Sequence, residues 1–196
     1  MEGTMEFVFD PKQYGTRVAE AIGEGRLNEL GPGRPNAAAG PMLSSLSAEV
    51  IFDGKAVHDL MAAQCCLSGL WLYHDYLDES HTISQSIPTT DGSYWHGIMH
   101  RREPDASNSK YWFRKVGRHE AFAPLLQQAT SLLSQQPEVS ELAYLVQGAE
   151  WDAFAFVDAC DSAYRRGTGA ERVCQKIQQI EWQLLFDFCF QKAIGK

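Results

Sequence analysis

The sequence predicts an all-α protein, a single-domain irregular helical bundle with one TPR-like helical hairpin, and three observations carry that expectation. Apolar residues recur at helical spacing in the C-terminal half, as in Val173, Ile177, Ile180, Leu184 and Phe188. Glycine and proline cluster between such stretches rather than inside them. No two segments alternate in the manner of paired strands. With 196 residues, 44% of them hydrophobic, the chain can build one substantial core, so residues 1–196 read as one domain. Its N-terminal part, residues 1–44, is the less regular, and residues 45–196 form the helical core.

Taken in order, residues 6–10 suit a short strand and residues 16–24 a short helix. Gly31, Pro32, Gly33, Pro35, Gly40 and Pro41 make residues 30–41 a loop, either a lid carrying Arg34 or a plain connection. A short helix is expected over 45–52. Asp53 and Gly54 then precede a long helix over 56–77 that is apolar nearly all round, the mark of a central element. Gln64, Ser68, Trp71, Asp75 and Asp78 share one stripe of it, facing water or an internal pocket. Asp78, Glu79 and Ser80 restart the chain as a short helix that Pro88 stops. The hairpin follows: one helix over 91–103, stopped by Pro104, and a second with Asp105 as N-cap that ends at Gly117. Its small Gly97 and aromatic Tyr111, Trp112 and Phe113 give it the look of a tetratricopeptide unit. Residues 122–133, 138–146, 152–165 and 170–190 complete the helices.

A formal charge of −8 argues against nucleic acid and anionic lipid as partners. The longest apolar run, residues 60–73, is shorter than the roughly 20 residues of a membrane span. Glu2 and Glu6 at the N-terminus do not fit a secretory signal, so a cytoplasmic location is expected. The five cysteines lie in apolar stretches without metal-binding spacing and read as small buried hydrophobes.

Chemistry concentrates between Trp71 and His119. His96 and His100 stand one helical turn apart with Glu103 a turn further on, a spacing that lets two imidazoles share a divalent metal. A third ligand would come from His74, Asp78 or His81. A metal is compatible with this pattern without being its preferred reading, and Gly97 after the first histidine excludes the zincin arrangement. His74 and Asp75 form a dipeptide similar to that of HD-type phosphohydrolases, without the companion ligands on separate elements. Arg102 falls on the apolar face of its helix, where it either pairs with Asp75, Asp78 or Asp105 or extends to water. Arg101, Arg102, Asn108, Lys110, Arg114, Lys115, Arg118 and His119 make a basic island in an acidic chain.

Residues 72–81, together with the segment GSYWHGIMHRREPDASNSKYWFRKVG over 92–117, resemble an uncharacterised family of bacterial hypothetical proteins. That resemblance implies no activity, cofactor or site residue.

The leading expectation is therefore a pocket between the long helix and the hairpin that binds a small anionic molecule, with hydrolytic or acid–base chemistry as its extension. Arg101, Arg102, Asn108, Lys110 and Arg114 would meet the anion with Glu103 beside them, and Tyr94 and Trp112 would wall it. His74, Asp75, His96 and His100 would transfer protons. The alternatives are a non-catalytic helical interaction module and a metal-dependent hydrolase. The oligomeric state stays open, because interface and core faces look alike in sequence.

Overall fold

The computed structural model describes residues 7–167 and 169–196 and is all-α, with no strand among the described residues. Its α-helices are α1 (Thr16–Ile22), α2 (Gly40–Ser44), α3 (Leu60–Tyr73), α4 (Leu77–Ser84), α5 (Thr90–Arg102), α6 (Ala106–Val116), α7 (Phe122–Ser134), α8 (Ala153–Arg166) and α9 (Ala170–Ala193). Short 3₁₀ turns at Pro11–Tyr14, Val50–Phe52 and Pro137–Val146 link them. No described helix is long and apolar enough to cross a membrane. Glu2 and Glu6, on which the signal-peptide expectation rested, lie outside the described residues.

Helix starts follow local chemistry. Asp59, Thr89, Asp105 and Asp152 each accept a hydrogen bond from a backbone N–H of the first turn they cap, satisfying donors that have no partner inside the helix. Gly117 closes α6 with φ +61, a conformation that is strained for side chains other than glycine.

Several expected elements differ. The strand proposed from Glu6, itself outside the described residues, is absent over 7–10, because no second strand is there to pair with it; Phe9 instead stacks on Tyr14 and meets Trp182 edge-on. Of the helix expected over 45–52 only the 3₁₀ turn at Val50–Phe52 forms, while α2 (Gly40–Ser44) begins within the segment 30–41 expected to be loop. Pro41 opens α2 in its first turn, where its missing N–H is no loss. Residues 137–146 form 3₁₀ helix broken at Val139 rather than α-helix.

The largest difference lies in the bounds of the long helix expected over 56–77, which is α3 alone, ending at Tyr73, with a sharp turn leading into α4, the short helix expected from Asp78. Asp75 N–H bonds to the Leu72 carbonyl at 3.1 Å and Tyr76 N–H to the Trp71 carbonyl at 3.0 Å, the paired closure of a Schellman motif. Asp75 takes the left-handed position with φ +63, where glycine is usual. Tyr76 and Trp71 supply the accompanying apolar contact, edge to face at 5.1 Å. Asp75 and Asp78 therefore leave the stripe of Gln64 and Ser68, and Asp78 sits in the first turn of α4, whose N-cap is Tyr76. Ser68 faces neither solvent nor a pocket, since its hydroxyl donates to the Ser80 carbonyl across the α3–α4 contact at 3.0 Å.

One continuous set of buried apolar side chains joins all nine helices. α3 packs on α4, α5 and α9, and α5 packs on α3, α4, α6 and α8. From Asp91 to Arg102 every residue of α5 is buried, so the polar helix of the hairpin is as central as the apolar α3. Gly69 and Gly97 make that possible: the Trp95 indole lies against Gly69, and the Phe113 ring against Gly97. All five cysteines are free and buried, and burial raises the Cys66 and Cys160 thiols well above their usual range.

Candidate metal centre

The polar side chains of α5 are divided among separate sites by the 3.6-residue period. Arg101, its side chain 1% exposed, pairs with Glu181 of α9 at 2.5 Å, and the other Glu181 oxygen accepts from the Tyr94 hydroxyl at 3.0 Å. The Phe156 ring covers the guanidinium at 4.6 Å. Arg102 pairs with Asp75 at 2.6 Å and donates from Nε to the Gly31 carbonyl at 2.7 Å. Arg26 and Asn28 complete the Asp75 carboxylate at 2.5 and 2.8 Å. Each buried cation thus has a carboxylate partner, which offsets the cost of desolvating it.

This geometry pins the glycine–proline loop. Gly33 has φ +67 and packs so closely on the Asp75 carboxylate that a Cβ there would lie 2.7 Å from Cγ. Asn36 donates to His74 Nδ1 at 3.1 Å, and His74 Nε2–H donates to the Ala21 carbonyl at 2.6 Å. Both His74 nitrogens are occupied, and burial lowers its pKa. The structure places His74 and Asp75 in this anchor, apart from the remaining histidines. Arg34 is exposed on the rim of a cleft of about 680 Å³ between α1 and the loop.

The third face brings histidines together. His81 of α4 and His96 and His100 of α5 offer ligand nitrogens that all lie within 4.8 Å of one another, and no other such group occurs among the described residues. Their ring centroids stand 4.6 Å (81–96), 4.7 Å (96–100) and 5.4 Å (81–100) apart. His96 and His100 are buried and His81 is half-buried, so the cluster meets solvent on the α4 side.

The neighbours orient two of the rings. Ser84 Oγ lies within hydrogen-bond distance of both the His81 carbonyl at 3.3 Å and His96 Nδ1 at 3.2 Å, and when its single proton goes to the carbonyl, Nδ1 of His96 donates to it. His100 Nδ1 lies 2.8 Å from Glu103 Oε2, an acceptor, and carries its hydrogen for the same reason. His100 Nε2 then accepts from the Asn108 side-chain amide at 3.1 Å, a hydrogen bond that a bound metal would displace. Nδ1 held by a hydrogen-bond acceptor, with the lone pair left on Nε2, is the arrangement that outer hydrogen-bond partners impose on metal-ligating histidine. The Trp112 ring lies tilted against His96, centroids 4.0 Å apart, and Lys115 lies 4.1 Å from the same indole. Burial, then the proximity of His100, His81 and Lys115, pushes the His96 pKa down to about 3. The ring is therefore neutral and competent as a ligand at physiological pH.

A tetrahedral ion bound at about 2.0–2.1 Å needs its nitrogens about 3.3 Å apart, so binding would draw together nitrogens that here lie within 4.8 Å of one another. Asn108 Nδ2 stands 3.1 Å from His100 Nε2, at the edge of that space. Asp78 is exposed and outside the cluster. Lys110 pairs with Asp158 at 2.5 Å, and Arg114 lies over the Phe154 ring at 5.6 Å, both away from the histidines.

Two participants escape the sequence reading. Ser84 gives no signal at all, since serine near a helix end is commonplace. Glu181 does give one: it occupies the register of Ile177 and Leu184, a carboxylate on an apolar stripe, and so requires a buried cation.

The fold and this cluster define an all-α protein with a three-histidine face. No protein-family model matches the chain, and neither curated proteins nor solved structures yield a match.

Proposed function

We propose that this is a transition-metal-dependent protein with His81, His96 and His100 as ligands, and that metal-assisted hydrolysis is its reaction class. The observation that carries the reading is the convergence of the three imidazoles, with Glu103 holding the Nδ1 hydrogen of His100 so that its Nε2 is the lone-pair donor. Imidazole donors suit zinc, copper, nickel and iron over magnesium or calcium. Three protein ligands leave a position open, the property that separates catalytic from structural zinc sites, and a metal at such a site lowers the pKa of bound water toward about 7. The arginines support this reading by default. Arg101 and Arg102 are neutralised by Glu181 and Asp75, so positive charge for a ligand has to come from elsewhere.

The test is metal uptake. Chelator-stripped protein is titrated with Zn²⁺ and Cu²⁺, with elemental analysis of stoichiometry and tryptophan fluorescence as readouts. One ion per chain is expected, with Cu²⁺ quenching Trp112, which touches His96. His81→Ala, His96→Ala and His100→Ala should each abolish uptake. Folded protein that takes up no stoichiometric ion overturns the proposal. A second reading, a TPR-like interaction module, draws on the outer side of α6, where Tyr111 is 47% exposed. It predicts partner binding that is indifferent to chelator and to the histidine substitutions.

A further inference from the structure

We propose that the open side of the three-histidine centre takes a small oxyanion, bound through a carboxylate or phosphate oxygen, with the Asn108 side-chain amide donating a hydrogen bond to it. This rests on the metal reading above and names the ligand class of the same site. The first argument is charge. A metal-ligating imidazole carries no charge, and the carboxylate beside the three, Glu103, is engaged on Nδ1 of His100, the far side of the ring from Nε2. His96 and His100 are 2% and 6% exposed, so a dication there is poorly solvated by water. A charge buried in this way demands a partner. Among the described residues none is supplied: Asp75 and Glu181 are committed to arginines, and Asp78 is outside the cluster. An anionic ligand supplies it.

The second argument is the donor. Asn108 Nδ2 lies 3.1 Å from His100 Nε2 and 3.4 Å from Nδ1, against the edge where a ligated ion and its exchangeable ligand would sit. The residue is fixed from behind, because its backbone N–H is held by the Asp105 carboxylate at 3.0 Å. An amide N–H placed there can donate to a ligand oxygen. Trp112, packed at a tilt against His96, closes another side with an apolar ring and favours a compact ligand.

Cobalt-loaded protein provides the test, since the visible spectrum of Co²⁺ responds to a change of ligand. Titration with acetate and with inorganic phosphate should each give a saturable spectral change at one anion per metal, and acetamide, the neutral counterpart of acetate, should give none. Asn108→Ala should keep cobalt uptake and weaken anion binding about fivefold, the worth of one hydrogen bond. Asn108→Asp places a carboxylate beside the ion and should abolish the anion response while cobalt binds at least as tightly. Response to acetate alone or phosphate alone identifies which oxyanion the site accepts and supports the proposal. Cobalt uptake with no response to either anion overturns the inference and leaves the metal centre standing. A response unchanged in both Asn108 variants overturns the role of Asn108, and absence of cobalt uptake overturns the centre and the inference together.

Discussion

Asp75 answers two demands at one position. Its backbone occupies the left-handed site that turns α3 into α4, where glycine would be easier by about 1 kcal/mol. Its carboxylate holds Arg102, Arg26 and Asn28, which glycine cannot do. Removing one partner of a buried ion pair costs about 3–5 kcal/mol, so the electrostatic demand wins. Asp75→Gly is therefore expected to lower stability by several kcal/mol in urea denaturation despite relieving the backbone; a neutral result would show that Arg102 finds another partner. At the histidine cluster, Glu103 acts through His100. Glu103→Gln keeps size and shape but weakens the acceptor, and a loss of about 10–100-fold in metal affinity is expected by competition titration, with folding unaffected.

At the scale of elements, the α3–α5–α6 arrangement depends on glycines that admit large rings or backbone. A Cβ on Gly92 would lie 2.6 Å from Ile87 Cβ and also collide with the Ile87 carbonyl oxygen, and backbone cannot step aside as a side chain can. A Cβ on Gly97 would meet only the rim of the Phe113 ring at 3.0 Å. Gly92→Ala is expected to cost about 1–3 kcal/mol, as overpacking does, and to lower Tm further than Gly97→Ala. Because α5 carries His96 and His100 two and three turns from Thr89, its displacement at the N-terminus should also weaken metal uptake. The loop at residues 30–41 is likewise an element with a physical task. Arg102 donates to the carbonyl oxygen of Gly31, and Asn36 holds His74 and Tyr76, so the loop closes over the α3–α4 turn.

The whole molecule concentrates its buried charge and imidazole on one helix, and acid should find that weakness. The His96 pKa is lowered in the folded state to about 3, against an unfolded value near 6.5. The unfolded chain then binds more protons between these limits, and stability falls as pH drops from about 6.5 towards 3. One such group contributes a slope of up to about 1.4 kcal/mol per pH unit. His74, also lowered, acts in the same direction; Asp91, held down by His119 and Lys192 against the opposing effect of its burial, adds a loss below its usual pKa near 4. Thermal unfolding of the metal-free protein across pH 3–7 measures this, and a flat profile would contradict it. Bound metal should raise Tm, with chelator reversing the gain.

Caps, breakers and apolar periodicity made most helices legible, because each depends on side chains within one or two turns. Asp105, Asp152 and Gly117 mark their helix ends without reference to anything distant. The restart of the chain as α4 was legible in Asp78, Glu79 and Ser80, but the end of α3 at Tyr73 was not, since glycine is the expected signal at that turn and Asp75 stands in its place for the sake of Arg102, 27 residues away. The same limit applies to the site. Spacing alone put His96 and His100 on one face and named His81 among the possible third ligands, but His74 and Asp78 were equally eligible by pattern. Choosing among them took the packing of α4 on α5, and assigning Arg101 to Glu181 took the approach of α9. Local hydrogen bonding and periodicity were decided by neighbours along the chain, whereas partners for buried charge were decided by which helices meet, a property of the folded core alone.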